Sequence, residues 1–199
     1  DFPKEISWMN KDGDRQVIST PYKGSICFSQ PEVLERFAAK VKDYVKQDRA
    51  RCAETGAPWP VFYVVDQNDC AVECFCPECQ AKVKQHDVSG LVIDFMNKLW
   101  ERVSGDYPDI YLMMFAYHDS TTPPPSGLKP KGNVIVRLAY MDHEFAGSGK
   151  VKRDVMFPLS HPNNKPYDDA MAAWYSCAAN LAIWDYWKLF RCGFQTPIH

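Results

Sequence analysis

Three stretches of the chain place carboxylates directly after apolar runs. Asp66-Gln67-Asn68-Asp69 follows Val61-Phe62-Tyr63-Val64-Val65, Tyr117-His118-Asp119 follows residues 110–116, and Met141-Asp142-His143-Glu144 follows residues 133–140. A fourth run, Leu181-Ala182-Ile183-Trp184, ends in Asp185-Tyr186-Trp187. Several carboxyl groups beneath aromatic walls are what glycoside hydrolysis needs. One carboxyl protonates the leaving oxygen, and the other attacks, activates water or orients a substrate acetamido group. Any one of these acids can be merely a turn former or a helix cap; their recurrence on successive strands is what points to a site. Gln67-Asn68-Asp69 is the most suggestive, because three consecutive polar side chains there have no evident capping duty. His118 and His143 read as supporting groups rather than general bases.

A second constellation is sulfur. Cys70, Cys74, Cys76 and Cys79 fall within ten residues, and Cys76-Pro77-Glu78-Cys79 has the C-x-x-C spacing of a metal knuckle. Disulfides, a structural metal and free thiols are all open readings, and either of the first two makes the cluster a brace for the loop that presents Asp69. A thioredoxin-like redox role is disfavoured, because there the motif opens a helix straight after a strand without extra neighbouring thiols. Cys27, Cys52, Cys177 and Cys192 are dispersed and have no assigned partners.

The elements that position these groups follow from periodicity and punctuation. Residues 1–24 read as an irregular lead-in or hairpin, with a turn at Lys11-Asp12-Gly13-Asp14. Residues 25–28 read as a strand, and Ser29-Gln30-Pro31-Glu32 supplies a capping box before a helix whose stripe is Val33, Phe37, Val41, Tyr44 and Val45. Gly56 and Pro58-Trp59-Pro60 end it. Residues 61–65, continuously apolar, predict a strand buried on both faces. A helix from about Ser89 carries Val92, Phe95, Met96, Leu99 and Val103, and strands at 110–116 and 133–140, a helix at 166–178 and a last strand at 181–184 complete the order. Alternation of this kind predicts a parallel α/β sheet with its active site at the carboxyl ends of the strands. Five strands make either an open doubly wound sheet or the middle of a barrel cut at both ends.

Composition narrows the classes. With 46% hydrophobic and 24% charged residues and a net charge of -2, the 199-residue chain is neither disordered nor a coiled coil. No apolar run reaches the roughly 18 to 20 residues of a membrane span, and no basic tract offers a footprint for nucleic acid. Eight Cys suggest an oxidising compartment or a metal. A start at Asp1 suggests a processed chain or part of a longer one.

Taken in order, Val65-Asp66-Gln67-Asn68-Asp69, Cys74-Phe75-Cys76-Pro77-Glu78-Cys79, Ala116-Tyr117 followed by the Pro123-Pro124 pair, and Ala173-Trp174 before Ile183-Trp184-Asp185-Tyr186 resemble one family over nearly the whole chain. It is the bacterial glycoside-hydrolase-like barrel family long catalogued as a domain of unknown function, similar in layout to α-glucuronidases and β-hexosaminidases. It includes endo-β-N-acetylglucosaminidases acting on complex N-glycans. The resemblance implies a (β/α)8 barrel of TIM type, of which residues 25–199 would be an incomplete portion of about five strands, completed by the remainder of a parent chain and soluble only poorly alone. It implies a secreted, periplasmic or cell-surface enzyme that cleaves β-linked N-acetylglucosaminides by a retaining, substrate-assisted mechanism, with no cofactor and no catalytic metal. Asp69 and either Asp142 or Glu144 would be catalytic, while Gln67, Asn68, Tyr117, His118, Trp184, Asp185 and Tyr186 would bind the glycan. A catalytically silent carbohydrate-binding barrel and a structural metal-binding module are the alternatives. The chain departs from the family at Cys70, a cysteine beyond the usual three, and at Met141-Asp142-His143-Glu144-Phe145, where the family often carries Ile-Glu-Cys-Cys-Phe.

Overall fold

Helix α1 (Pro31–Thr55) begins where Pro31 supplies a fixed φ at the first helical position and stops where Gly56 takes a left-handed conformation with φ 68°. Residues 3–18, 24–139 and 160–184 are described by the computed structural model. The expected capping box is not made. Gln30 occupies the N-cap without a side-chain bond, and Ser29 turns instead to Cys79, its Oγ 3.2 Å from the sulfur. The buried stripe is Val33, Leu34, Ala38, Val41, Val45 and Cys52, so it is rotated from the expected one, and Tyr44 lies exposed under the Lys40 ammonium.

A short antiparallel hairpin, β1 (Trp8–Met9) with β2 (Arg15–Gln16), precedes α1. The main sheet holds β3 (Phe62–Val64), β4 (Tyr111–Ala116), β5 (Val134–Leu138) and β6 (Leu181–Ile183), all parallel and adjacent in chain order. Between them run α2 (Pro77–Val103) and, before β6, α3 (Lys165–Cys177). Residues 25–28 do not form a fifth parallel strand. Ile26 makes a single antiparallel bridge to Ser7, which turns Cys27 inward and leaves it fully buried.

α2 is two helices joined at Asp87, whose φ of 64° breaks the ladder while its carboxylate accepts the N–H of Val88. The second half therefore starts close to the expected Ser89, but the first half, from Pro77, lies where a loop was expected. Cys76 caps it, its sulfur accepting the N–H of Cys79 at 3.4 Å. Asp94 ties the halves together by pairing with Lys82 before the kink and Lys98 after it.

The sheet has two unlike faces, as its period of two requires. Tyr63, Leu112, Met114, Ala116, Val134, Val136 and Leu138 join the core with Phe95, Met96 and Leu99 of α2, Val41 and Val45 of α1, and Trp174 of α3. The opposite face carries Phe62, Val64, Tyr111, Met113, Phe115, Ile135 and Arg137, with Phe62 54% and Val64 51% exposed and Ile135 buried. The expectation that residues 61–65 are buried on both faces is thus corrected: β3 lies at an edge of the sheet and packs one side chain, Tyr63, into the core.

Candidate active-site cleft

The carboxyl end of β3 is closed by a side chain. Val65 N–H bonds Met113 O at 2.8 Å, and the next rung is made by the Asp66 carboxylate, which accepts the Phe115 N–H at 2.9 Å. Its other oxygen faces Arg137 Nη2 at 3.4 Å. Burial pushes the Asp66 carboxyl up to about 6, with Arg137 and the Phe115 N–H holding it from rising further. Asp66 therefore ends the ladder and directs residues 67–69 out of the sheet.

Those three residues are held differently. Gln67 donates to Cys70 O at 3.1 Å and accepts from Ser120 Oγ at 3.2 Å, so its amide spans the loops after β3 and β4. Asn68 Nδ2 donates to Gly24 O at 2.7 Å. Asp69 points to solvent, its side chain 55% exposed, and receives the phenolic hydrogen of Tyr117 at 2.7 Å. His118, at a strained φ of 52°, brings Nε2 to 3.8 Å from the same Asp69 oxygen. Asp119, the third acid in this region, turns away to accept the N–H of Val72, which braces the loop rather than the cleft; burial raises its carboxyl above the ordinary range.

Trp184 completes the wall. Its backbone N–H bonds Leu138 O at 2.9 Å, continuing β6 alongside β5, and its ring meets Phe115 edge-on at 5.5 Å. The Arg137 guanidinium lies over both rings, 4.0 Å from the Phe115 centroid and 4.9 Å from that of Trp184. Together Gln67, Asn68, Asp69, Phe115, Tyr117, Arg137, Ala139 and Trp184 line a cleft of about 360 Å³. Five of the residues expected from the sequence meet there: Gln67, Asn68, Asp69, Tyr117 and Trp184, with His118 adjoining. Asp142, Glu144, Asp185 and Tyr186 lie outside the described residues, as does His143. Phe115 and Arg137 were missed. Their signal was an arginine inside the apolar run of β5, at the register position paired with Phe115.

The sulfur cluster is also redrawn. Cys27, Cys74, Cys76 and Cys79 are all buried, with their four Sγ atoms within 4.8 Å of one another. Cys70 is not among them; its thiol donates to Gly24 O at 3.4 Å, on the loop's outer turn. No disulfide joins any cysteine among the described residues. The thiols of Cys74 and Cys79 hold Cys27 far below the ordinary thiol value, whereas burial pushes Cys76 up to about 12.

Among the described residues the architecture is α/β, with a four-stranded parallel sheet and a polar, aromatic-walled cleft at the strands' carboxyl ends. The chain belongs to the family described as Domain of unknown function (DUF4838), whose model matches residues 1–198. No curated protein and no solved structure matches it. Among the described residues, no helix is long and apolar enough to cross a membrane.

Proposed function

We propose that the protein is a glycoside hydrolase acting on β-linked N-acetylglucosaminides of glycoprotein glycans, and that its sheet is part of a (β/α)8 barrel of TIM type. The barrel reading is supported by strands that follow one another in strict chain order, where a doubly wound sheet would reverse its order partway. It is also supported by the aromatic, partly exposed face opposite the helices, which the remainder of a parent chain would enclose.

The observation that carries the activity is Asp69 held by the Tyr117 hydroxyl in a cleft walled by Trp184 and Phe115. In a retaining, substrate-assisted reaction the acetamido oxygen attacks the anomeric carbon as the glycosidic C–O bond breaks, and a carboxylic acid delivers a proton to the leaving oxygen. Water then opens the cyclic intermediate, returning the acetamido group. Asp69 orients the acetamido group or serves as the acid, and Asp142 or Glu144 supplies the second carboxyl. Tyr117 and Tyr186 bind the ring, with Trp184 as its stacking floor. The Asn68 amide nitrogen is committed to Gly24, so Asn68 contributes through its oxygen. No cofactor enters this scheme. A glycoprotein substrate places the enzyme outside the cytoplasm, in a secreted, periplasmic or cell-surface location. The free cysteines supply no separate argument for an oxidising compartment.

The test is Asp69→Asn in the longest native form of the protein, read as release of N-glycan from a glycoprotein. Turnover is expected to fall by about 10²- to 10⁴-fold, and unchanged turnover overturns the assignment. A non-catalytic carbohydrate-binding domain is the second reading, favoured by Asp69 being the one carboxylate lining the described cleft. Calorimetric binding of an N-acetylglucosaminide without its hydrolysis would select it.

A further inference from the structure

We propose that Cys27, Cys74, Cys76 and Cys79 hold one zinc ion in a closed tetrathiolate site, a structural centre independent of the sugar-cleaving reading. The sulfur geometry is the first argument. Cys27 Sγ lies 3.5 Å from Cys76 Sγ and 3.8 Å from Cys79 Sγ, and all four sulfurs fall within 4.8 Å. A tetrahedral zinc with Zn–S bonds of about 2.3 Å sets its sulfurs about 3.8 Å apart, whereas a disulfide requires about 2.05 Å. The cluster thus has the edge length of a coordination polyhedron and not the length of a covalent pair.

The surroundings are the second argument. Four thiolates around a divalent ion leave a net charge of minus two, which a buried site must offset with donors. Met9 N–H points at Cys74 Sγ and Cys79 N–H at Cys76 Sγ, each at 3.4 Å, while the Ser29 hydroxyl lies 3.2 Å from Cys79 Sγ. Arg15 stands beside Cys27 and supplies positive charge. Four soft sulfur ligands suit zinc, as they also suit iron, and a complete set leaves no open position for a reacting water.

The third argument is what the ligands connect. Cys27 comes from the segment before α1, Cys74 from the loop after β3, and Cys76 and Cys79 from the start of α2. Phe75 N–H bonds Met9 O at 2.8 Å and Gln80 reaches back to Cys74 O at 2.9 Å, so the metal fastens the hairpin, the loop and the helix at one point. Asn68 and Cys70 are bound to Gly24, three residues from Cys27. The site therefore sets where residues 67–69 stand.

Metal analysis of the full-length native protein, purified under reducing conditions without chelator, is expected to give one zinc per chain. Cys27→Ser should drop the zinc content well below one, and Cys70→Ser should leave it at one. Cobalt substitution of the unmodified protein keeps the proposal testable should Cys27→Ser fail to fold; it should give thiolate-to-cobalt charge-transfer bands with tetrahedral d–d absorption. Hydrogen exchange should show residues 66–76 losing protection on chelation. Purified protein in which Cys27, Cys74, Cys76 and Cys79 all react as free thiols and no metal is bound overturns the proposal. So do disulfides among the four cysteines by mass spectrometry of the unreduced protein, iron in place of zinc, or a Cys70→Ser variant that loses the ion.

Discussion

The two faces of the parallel sheet are built from the same strands and have opposite characters. Toward the helices, Leu112, Val136 and Leu138 are fully buried and Met114 and Val134 nearly so, and the aromatic anchor, Trp174, satisfies its one polar atom by donating to Thr121 O at 2.7 Å. Toward the other side stand Phe62 against Tyr111, Phe115 against Trp184, and an arginine bound to a half-buried aspartate. One face is a finished core. The other is an aromatic surface with a charge pair set into it, the composition of a surface that takes ligand or further chain rather than one that stabilises by itself.

Truncation is the strongest way to test that contrast. Trp174→Ala removes a fully buried indole and strands the Thr121 carbonyl, so it should cost about 3–5 kcal/mol in urea unfolding followed by circular dichroism. Phe115→Ala, at a half-buried position on the other face, should cost well under half of that while weakening the glycan binding proposed for the cleft. Equal losses at the two positions would show that the open face is as much a core as the helix face.

The charge pair offers a pH test of about half that size. Burial pushes the Asp66 carboxyl up to about 6 in the folded chain, above the ordinary 3.8 that it regains on unfolding. Between those values the folded state binds more protons, so stability is greatest at low pH and falls as pH rises through about 6. The loss should be about 2 kcal/mol between pH 4 and pH 7 against the contributions of the other groups. Asp66→Asn should flatten that portion of the stability curve, and Arg137→Met, which strips Asp66 of its counter-charge, should steepen it. A curve that Asp66→Asn leaves unaltered would contradict the burial of this carboxylate.

Tyr117→Phe, smaller again, separates the cleft from the core beneath it. The hydroxyl serves an exposed carboxylate, so folding stability should change by less than about 0.5 kcal/mol. The proposed activity on glycoprotein should nonetheless fall by about tenfold, the factor that corresponds to one charge-assisted hydrogen bond. A stability loss without an activity loss would make the Tyr117–Asp69 bond a structural strap.

What the sequence made legible and what it hid follow from the range of the interactions. Gln67, Asn68, Asp69 and Tyr117 were readable because a polar run at the end of an apolar strand is a local signal. Trp184 was readable for the same reason. Cys27 was not, because its partners Cys76 and Cys79 lie 49 and 52 residues away and only the fold brings them together. The proximity of Cys70 to Cys74 in the chain misled for the converse reason: tight spacing is no guarantee of a shared centre. Ser29 had the spacing of a helix cap, yet Cys79 draws its hydroxyl away from the helix. The apolar run at 61–65 has the same pattern whether both of its faces are covered or one awaits cover.

That last ambiguity is the subject of the smallest effect. Phe62 and Val64 lie on the open face at an edge of the sheet, more than half exposed, with Phe62 touching Tyr111 across a tilted 5.5 Å contact. A side chain that solvent already reaches has little transfer free energy left to lose, so Phe62→Ser should change the stability of the 199-residue chain by less than about 0.5 kcal/mol. It should nevertheless raise the concentration at which that chain stays monodisperse, because an exposed apolar edge strand is a template for association. In the longest native form the same substitution should destabilise by about 1–3 kcal/mol if further strands bury this face. Comparing the two measurements tests the proposed barrel directly: a variant equally harmless in both forms leaves the face open to solvent, and the barrel reading fails.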